Sequence, residues 1–398
     1  MNQRQFLTQK TKNSLYDLVR DRVAASPQKR ITFAEYMDLV LYHPQHGYYS
    51  SGQVGIGAKG DFYTSVSLGT DFGELLAEQF AQMWEILGRP VPFALLEMGA
   101  GQGQLVSDIL HHLHLNFSTL FNAIDYIIVE QAPGLIEQQQ NLSKEWIDKG
   151  VKICWRTWEE IEDRSIVGCC FSNELVDAFP VHRVAIADGK LQEIYVTISE
   201  TGLTEVTAEL SSEKLQDYFK QINIDLSPPV YGEDYQTEVN LNALNWLETV
   251  AKKLCKGYLI TIDYGYSAQR YYNPRRSQGT LQCYYQHRHH SNPYVNLGQQ
   301  DITAHVDFTA LERQGESWGF KTLGLTQQGM FLMALGLSDR LAELSSGKFK
   351  IQQVLQRRDA LHQLINPDGL GGFQVLVQSK GLSQFEEKKI LKGLSFPL

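Results

Sequence analysis

Glycine recurs at every second position of Glu97-Met98-Gly99-Ala100-Gly101-Gln102-Gly103, directly after the apolar run FALLEM and before the amphipathic QLVSDILHHL. Strand, tight turn and helix read in that order. Glycines there let the backbone turn sharply and approach a ligand with no Cβ in the way. Such a turn suits nucleoside cofactors as a class. The dinucleotide fingerprint G-x-G-x-x-G/A needs a small residue at position 104, where Gln104 stands. Glu97, at the strand end, carries a negative charge that would repel a pyrophosphate but suits the cationic methionyl end of S-adenosylmethionine. These two features favour that methyl donor, held by Glu97, Gly99, Ala100, Gly101 and Gly103.

The next apolar run ends at Glu130, a carboxylate placed to accept two hydrogen bonds from a ribose diol. Glu97 and Glu130 have a plainer reading as caps of the helices that follow. After the third run, Trp158, Glu159 and Glu160 fall where an adenine would stack, or else they open a short helix. The fourth run, IVGCCFS, leads into Ser172-Asn173-Glu174-Leu175-Val176-Asp177. Ligands of open α/β sheets bind beyond the carboxyl ends of the strands, so Ser172 should border the cofactor and the acids should face the transferred group. Asn173, Glu174 and Asp177 offer an amide and two carboxylates able to hold a guanidinium by charge-assisted bonds, or to accept its proton. Asn173 and Asp177 could instead cap a helix.

The elements that position these residues follow from hydrophobic patterning. Seven apolar runs (FALLEM, DYIIVE, VKICW, IVGCCFS, YLITIDY, FKTLGL and FQVLVQS) alternate with amphipathic segments from about residue 91 to 398, predicting one doubly wound α/β sheet of seven strands. Residues 1–90 read as a helical N-terminal region. Thr32 and Glu35 have capping-box spacing, with Ile31 and Tyr36 as a hydrophobic staple. From Asp71, a helix places Leu76, Phe80, Met83, Trp84 and Leu87 on one face. Leu247, Val250, Ala251 and Leu254 line a helix before YLITIDY, with Gly257 as its left-handed cap. Insertions at about 181–235 and 264–306 interrupt the alternation. The first is an added lobe with a hairpin at Asp188-Gly189. The second interleaves Tyr with Arg and His, a composition that suits single-stranded nucleic acid or, preferentially, a protein partner. His111, His112 and His114 read as a solvated face without metal-ligand spacing.

Composition narrows the class. The 398 residues are 43% hydrophobic and 20% charged, with a formal net charge of −9, so there is no global positive field for nucleic acid. The five cysteines form no C-x-x-C pair, which points away from zinc and disulfide frameworks and towards a reducing compartment. No apolar run is long enough for membrane insertion, and the N-terminus resembles neither a secretory signal nor a mitochondrial presequence, so a cytoplasmic location is expected.

Seven separated segments together resemble the MidA family of S-adenosylmethionine-dependent methyltransferases: ITFAEYMDLVLYHPQHGYYS (31–50), GDFYTSVSLGTDFGELLAEQ (60–79), LEMGAGQGQL, SNELVDAFPVHRV, IDYGY (262–266), GTLQCYYQHR (279–288) and DITAHVDFT (301–309). The resemblance implies a class I methyltransferase (Rossmann-like) fold and a protein arginine methyltransferase role, with a NADH dehydrogenase (complex I-type) subunit as the possible substrate. It implies a cofactor turn at Gly99, Gly101 and Gly103, a post-strand acidic motif at Glu174 and Asp177, and a lid at Asp61, Phe62 and Tyr63. His287 and His305 could move a proton or orient substrate, or could be structural. The alternatives are a methyltransferase of RNA or of a small molecule, and a non-catalytic assembly factor.

Overall fold

All seven apolar runs enter one sheet. The structure, a computed structural model, describes residues 15–50, 64–227, 230–286 and 288–395. The strands are β1 (Phe93–Met98), β2 (Ile124–Val129), β3 (Lys152–Arg156), β4 (Ile166–Asn173), β5 (Leu254–Asp263), β6 (Lys321–Gln327) and β7 (Gln374–Lys380). Their order across the sheet is β3-β2-β1-β4-β5-β7-β6. Neighbours from β3 to β5 are parallel, whereas β7 runs antiparallel to both β5 and β6. The strand order reverses between β1 and β4, which opens a crevice beyond their carboxyl ends.

Three helices sit beside these strands in sequence: α1 (Asp71–Ile86), α2 (Gln104–Asn116) and α3 (Pro133–Asp148). The predicted α1 stripe is buried, with Phe80 packed 4.9 Å from Phe171 of β4. Of the three α2 histidines, His111 and His114 are exposed as the solvated-face reading expects, and His112 is the exception. His112 is buried and hydrogen-bonded to Glu78 at 2.9 Å, while the rings of His111 and His114 lie against Trp146. Gly257 also differs from expectation. It lies inside β5, where a Cβ would come within 1.8 Å of the Gly168 carbonyl, so it serves close strand approach and does not end a helix. Gly168 in turn faces the Ala94 carbonyl with room for no side chain.

The chain divides into two compact units, one formed by Ile56–Leu175, Leu247–Tyr264 and Gly315–Leu398, the other by Met1–Gly55, Val176–Trp246 and Gly265–Gln314. The anticipated N-terminal region of 1–90 is therefore split. The helix Phe33–Tyr42 buries Phe33, Tyr36, Met37, Val40 and Leu41 in a cluster with Val181, Val196, Leu297 and Ile302 of the insertions, while α1 joins the core of the sheet. An amphipathic stripe announces burial but not the surface it will meet. At the start of Phe33–Tyr42 the capping box forms as predicted, with the Glu35 amide donating to Thr32 Oγ1 and the Thr32 amide to Glu35 Oε2. In this unit, His182–Ala187 and Lys190–Ser199 make the expected hairpin, with Asp188 and Gly189 at φ 53° and 67°, the geometry a type I′ turn demands. Among the described residues no helix is long and apolar enough to cross a membrane.

Candidate active site

Gly99, Gly101 and Gly103 all have left-handed backbones, at φ 70°, 53° and 87°. A side chain at Gly99 would also strike Leu175 at 2.7 Å, and one at Gly103 would meet Gln139 at 3.0 Å. The turn therefore requires glycine for both conformation and space. Gly103 leads straight into α2, and Ala100 is nearly buried.

Glu97 is buried in β1, where its carboxylate accepts a 2.5 Å hydrogen bond from the Tyr126 hydroxyl. Burial pushes its pKa up to about 7, against the Tyr126 bond and with a smaller push from Glu130. Its charge is thus tied to a partner within the sheet, which differs from the free negative end read from the sequence. Glu130, just beyond β2, uses Oε1 to accept the amides of Gln131 and Ala132, a turn ahead of α3 and not a cap, since the N-cap Ala132 leaves that helix without a side-chain cap. Its Oε2 is 3.3 Å from the Gln139 amide nitrogen. Gln139 also donates to the Gly101 carbonyl at 2.7 Å and accepts from Trp155 at 2.8 Å, joining the turn, β2 and β3 through one buried side chain. The sequence held a signal for it: a polar residue in helical register with buried Leu135 and Trp146. Trp158 is half-buried just past β3, in a bend where Glu160 accepts the Thr157 amide.

Ser172 and Asn173 end β4. The Ser172 hydroxyl is buried without a hydrogen-bond partner among the described residues, as is the Asn173 side-chain oxygen. Glu174 follows at φ 50°, a left-handed conformation uncommon outside glycine. Its amide donates to the Ile262 carbonyl at 2.9 Å, and its Oε1 accepts from Asn173 Nδ2 at 3.2 Å and from the Ser65 amide at 3.3 Å. The next amide, Leu175, donates to Asp263, the buried last residue of β5. Ser65, Asp263 and Gln328, whose amide side chain meets the Ser65 hydroxyl, support this turn from sites far apart in sequence. Of these, only Asp263 had a sequence signal, as the end of an apolar run.

The remaining candidates belong to the other unit. Asp177 is buried in the single turn Val176–Ala178, and its carbonyl accepts the Ala304 amide at 3.0 Å; no α-helix begins there for it to cap. His305 stacks on Tyr266 at 5.0 Å, and burial, aided by Arg276, lowers its pKa to about 4. It is neutral at pH 7, which does not match a group titrating near neutrality. Arg270 and Arg276 each lie 4.5 Å from the centre of the Tyr266 ring. Asp61, Phe62, Tyr63 and His287 lie outside the described residues.

Residues 75–326 match a family of S-adenosyl-L-methionine-dependent methyltransferases. The chain belongs to this family. The methyltransferase is 29% identical over 363 residues to a Drosophila melanogaster protein named protein arginine methyltransferase NDUFAF7 homolog, mitochondrial, covering 86% of this chain and 79% of that one. It is 29% identical over 368 residues to the Homo sapiens protein arginine methyltransferase NDUFAF7, mitochondrial, covering 86% and 78%. A Burkholderia thailandensis protein solved bound to S-adenosyl-homocysteine is similar over 97% of this chain and 95% of its own, with a TM-score of 0.83 and 29% identity. The resemblance read from the seven sequence segments is thereby confirmed, as are the class I methyltransferase fold and the methyl donor. The residues present fit that cofactor: a turn of three left-handed glycines, a buried Ser172 hydroxyl without a partner among the described residues at the end of β4, and a carboxylate beyond β2.

Proposed function

We propose that this methyltransferase modifies an arginine side chain of a protein, and that Glu174 holds the acceptor guanidinium. The observation that carries this reading is the Glu174 backbone at φ 50°, beyond the carboxyl end of β4. A left-handed conformation costs a non-glycine residue roughly 1–2 kcal/mol. Such strain persists where surrounding bonds over-determine it, and it collects at functional sites. The names of the relatives, protein arginine methyltransferases, supply the acceptor class.

Bound S-adenosylmethionine supplies an electrophilic methyl group on a positively charged sulfur. Gly99, Gly101 and Gly103 admit it to the turn, Ser172 borders it, and Glu130 with Trp158 would take its ribose and adenine. Glu97, held by Tyr126, sets the end of β1. A guanidinium is a poor nucleophile while its charge is delocalised over all three nitrogens. The Glu174 carboxylate accepts hydrogen bonds from the guanidinium, draws charge to the bonded nitrogens and takes up the proton the attacking nitrogen releases. Asn173 steadies that carboxylate through its 3.2 Å bond. Asp177 and His305 carry no step in this reading.

The substrate class proposed is a subunit of a NADH dehydrogenase, met in a reducing, cytoplasmic setting that would keep the five cysteines, all free in the structure, as thiols. A second reading, RNA as acceptor, draws on exposed Arg270 and Arg275, which form no ion pair among the described residues. The test is to supply labelled S-adenosylmethionine with the subunit or with RNA and to digest the products. Label recovered as methyl-arginine supports the proposal. Label found only in RNA, or only on another amino acid, refutes it.

A further inference from the structure

Glu174 is linked through Ser65 to Gln328, a residue 154 positions further along the chain. Gln328 stands immediately after β6, which runs in the same direction as β4 and β5, so it lies at the ligand-facing edge of the sheet. Its backbone is pinned by a 2.7 Å bond to the Phe373 carbonyl. Its side chain is fully buried, and the Ser65 hydroxyl, also fully buried, lies 3.0 Å from Nε2 and 3.1 Å from Oε1. Ser65 opens the short turn Ser65–Leu68 and aims its amide at Glu174 Oε1, 3.3 Å away. The chain on either side is apolar: Val66 and Leu68, which follow Ser65, pack against the core cluster that contains Phe331 and Leu332, which follow Gln328.

Two hydrogen-bonded polar side chains contribute little more to stability in such a place than well-packed apolar ones of the same shape. What they add is direction. A hydroxyl held by both ends of an amide admits few rotamers, and its own backbone N–H then has one orientation. That N–H donates to the carboxylate whose backbone is held in the left-handed region.

We propose that Gln328, acting through Ser65, is a positioning residue for methyl transfer: it fixes the carboxylate of Glu174 and touches neither cofactor nor acceptor. The inference rests on the reading of Glu174 given above. Sub-ångström errors in placing a reacting group cost rate steeply, with a misplacement of about 1 Å worth about a hundredfold. Gln328→Met keeps the volume and removes the amide.

The experiment is a double-mutant cycle on the full chain. Single-turnover rates and the acceptor KM are measured for wild type, Gln328→Met, Glu174→Ala and the double variant, with cofactor affinity determined by calorimetry for each. The expected result is a fall in rate of about tenfold to a hundredfold for Gln328→Met with cofactor affinity unchanged, and no further fall when Glu174→Ala is already present. Equal losses in both backgrounds, or no loss in either, would overturn the positioning role. Full activity in Glu174→Ala would instead overturn the reading of Glu174 itself, so the two failures are distinguishable.

Discussion

Glu97 shows how far a residue can be read before its neighbours are known. Its position at the strand end was legible, and its negative charge pointed to a cationic cofactor. What the sequence could not contain was Tyr126, brought alongside only when β1 and β2 pair. With a folded pKa near 7 against an ordinary 4.5, Glu97 binds a proton more tightly in the native state than in the unfolded one. Its contribution therefore favours folding at low pH and is lost as pH rises from about 4.5 to about 7, with the native protein paying the burial of a carboxylate above that. Asp307, raised to about 7 by burial despite bonds from Tyr218 and the local backbone, acts in the same direction. Thermal unfolding followed from pH 5 to 8 should show Tm falling with pH, and Glu97→Gln should flatten part of that slope. A Tm that climbs through this interval in both proteins would contradict the assignment.

At the scale of elements, the patterning was informative because the central strands β1, β4 and β5 are apolar runs buried on both faces, while the edge strands β3 and β6 are part-exposed. Strand order was not, since nothing in seven similar runs says which lies beside which. Gly257 marks the boundary between these two kinds of knowledge. Its place after an amphipathic helix suggested a cap, yet the helix Leu241–Lys253 gives way to β5 before reaching it, and its lack of a side chain is explained by its position opposite Gly168 on the paired strand β4. Gly257→Ala places a Cβ 1.8 Å from the Gly168 carbonyl, with both partners in the middle of the sheet and unable to yield. The expected cost is at least about 3 kcal/mol, read as a lower urea midpoint with the slope unchanged. An unchanged midpoint would mean that β4 and β5 lie farther apart than described. Gln139 belongs to the same scale: its helical register made it visible, but its bonds to Gly101 and Trp155 depend on α3, β1 and β3 meeting.

For the molecule as a whole, the seven-stranded unit was legible nearly strand for strand, and the second unit only in pieces. It is assembled from three stretches, 1–55, 176–246 and 265–314, of which two were seen as insertions and the third as part of a separate helical region. Contacts between stretches more than a hundred residues apart leave no local period to read. The candidate site divides in the same way. The turn at Gly99–Gly103 and the acid at Glu174 announce themselves, while Ser65, Asp263 and Gln328 act on Glu174 only through the fold. In the proposed mechanism, catalysis rests on the Glu174 carboxylate, which stands out in the sequence and is held beyond the end of β4. The most direct measurement is the single-turnover rate of methyl transfer to an arginine-bearing protein by Glu174→Gln, alongside its calorimetric affinity for S-adenosylmethionine. The variant keeps an acceptor for the Ser65 amide but cannot take up a proton or hold a full negative charge. The account predicts a rate lower by about a hundredfold with cofactor affinity within about twofold of wild type. A rate equal to wild type would contradict it.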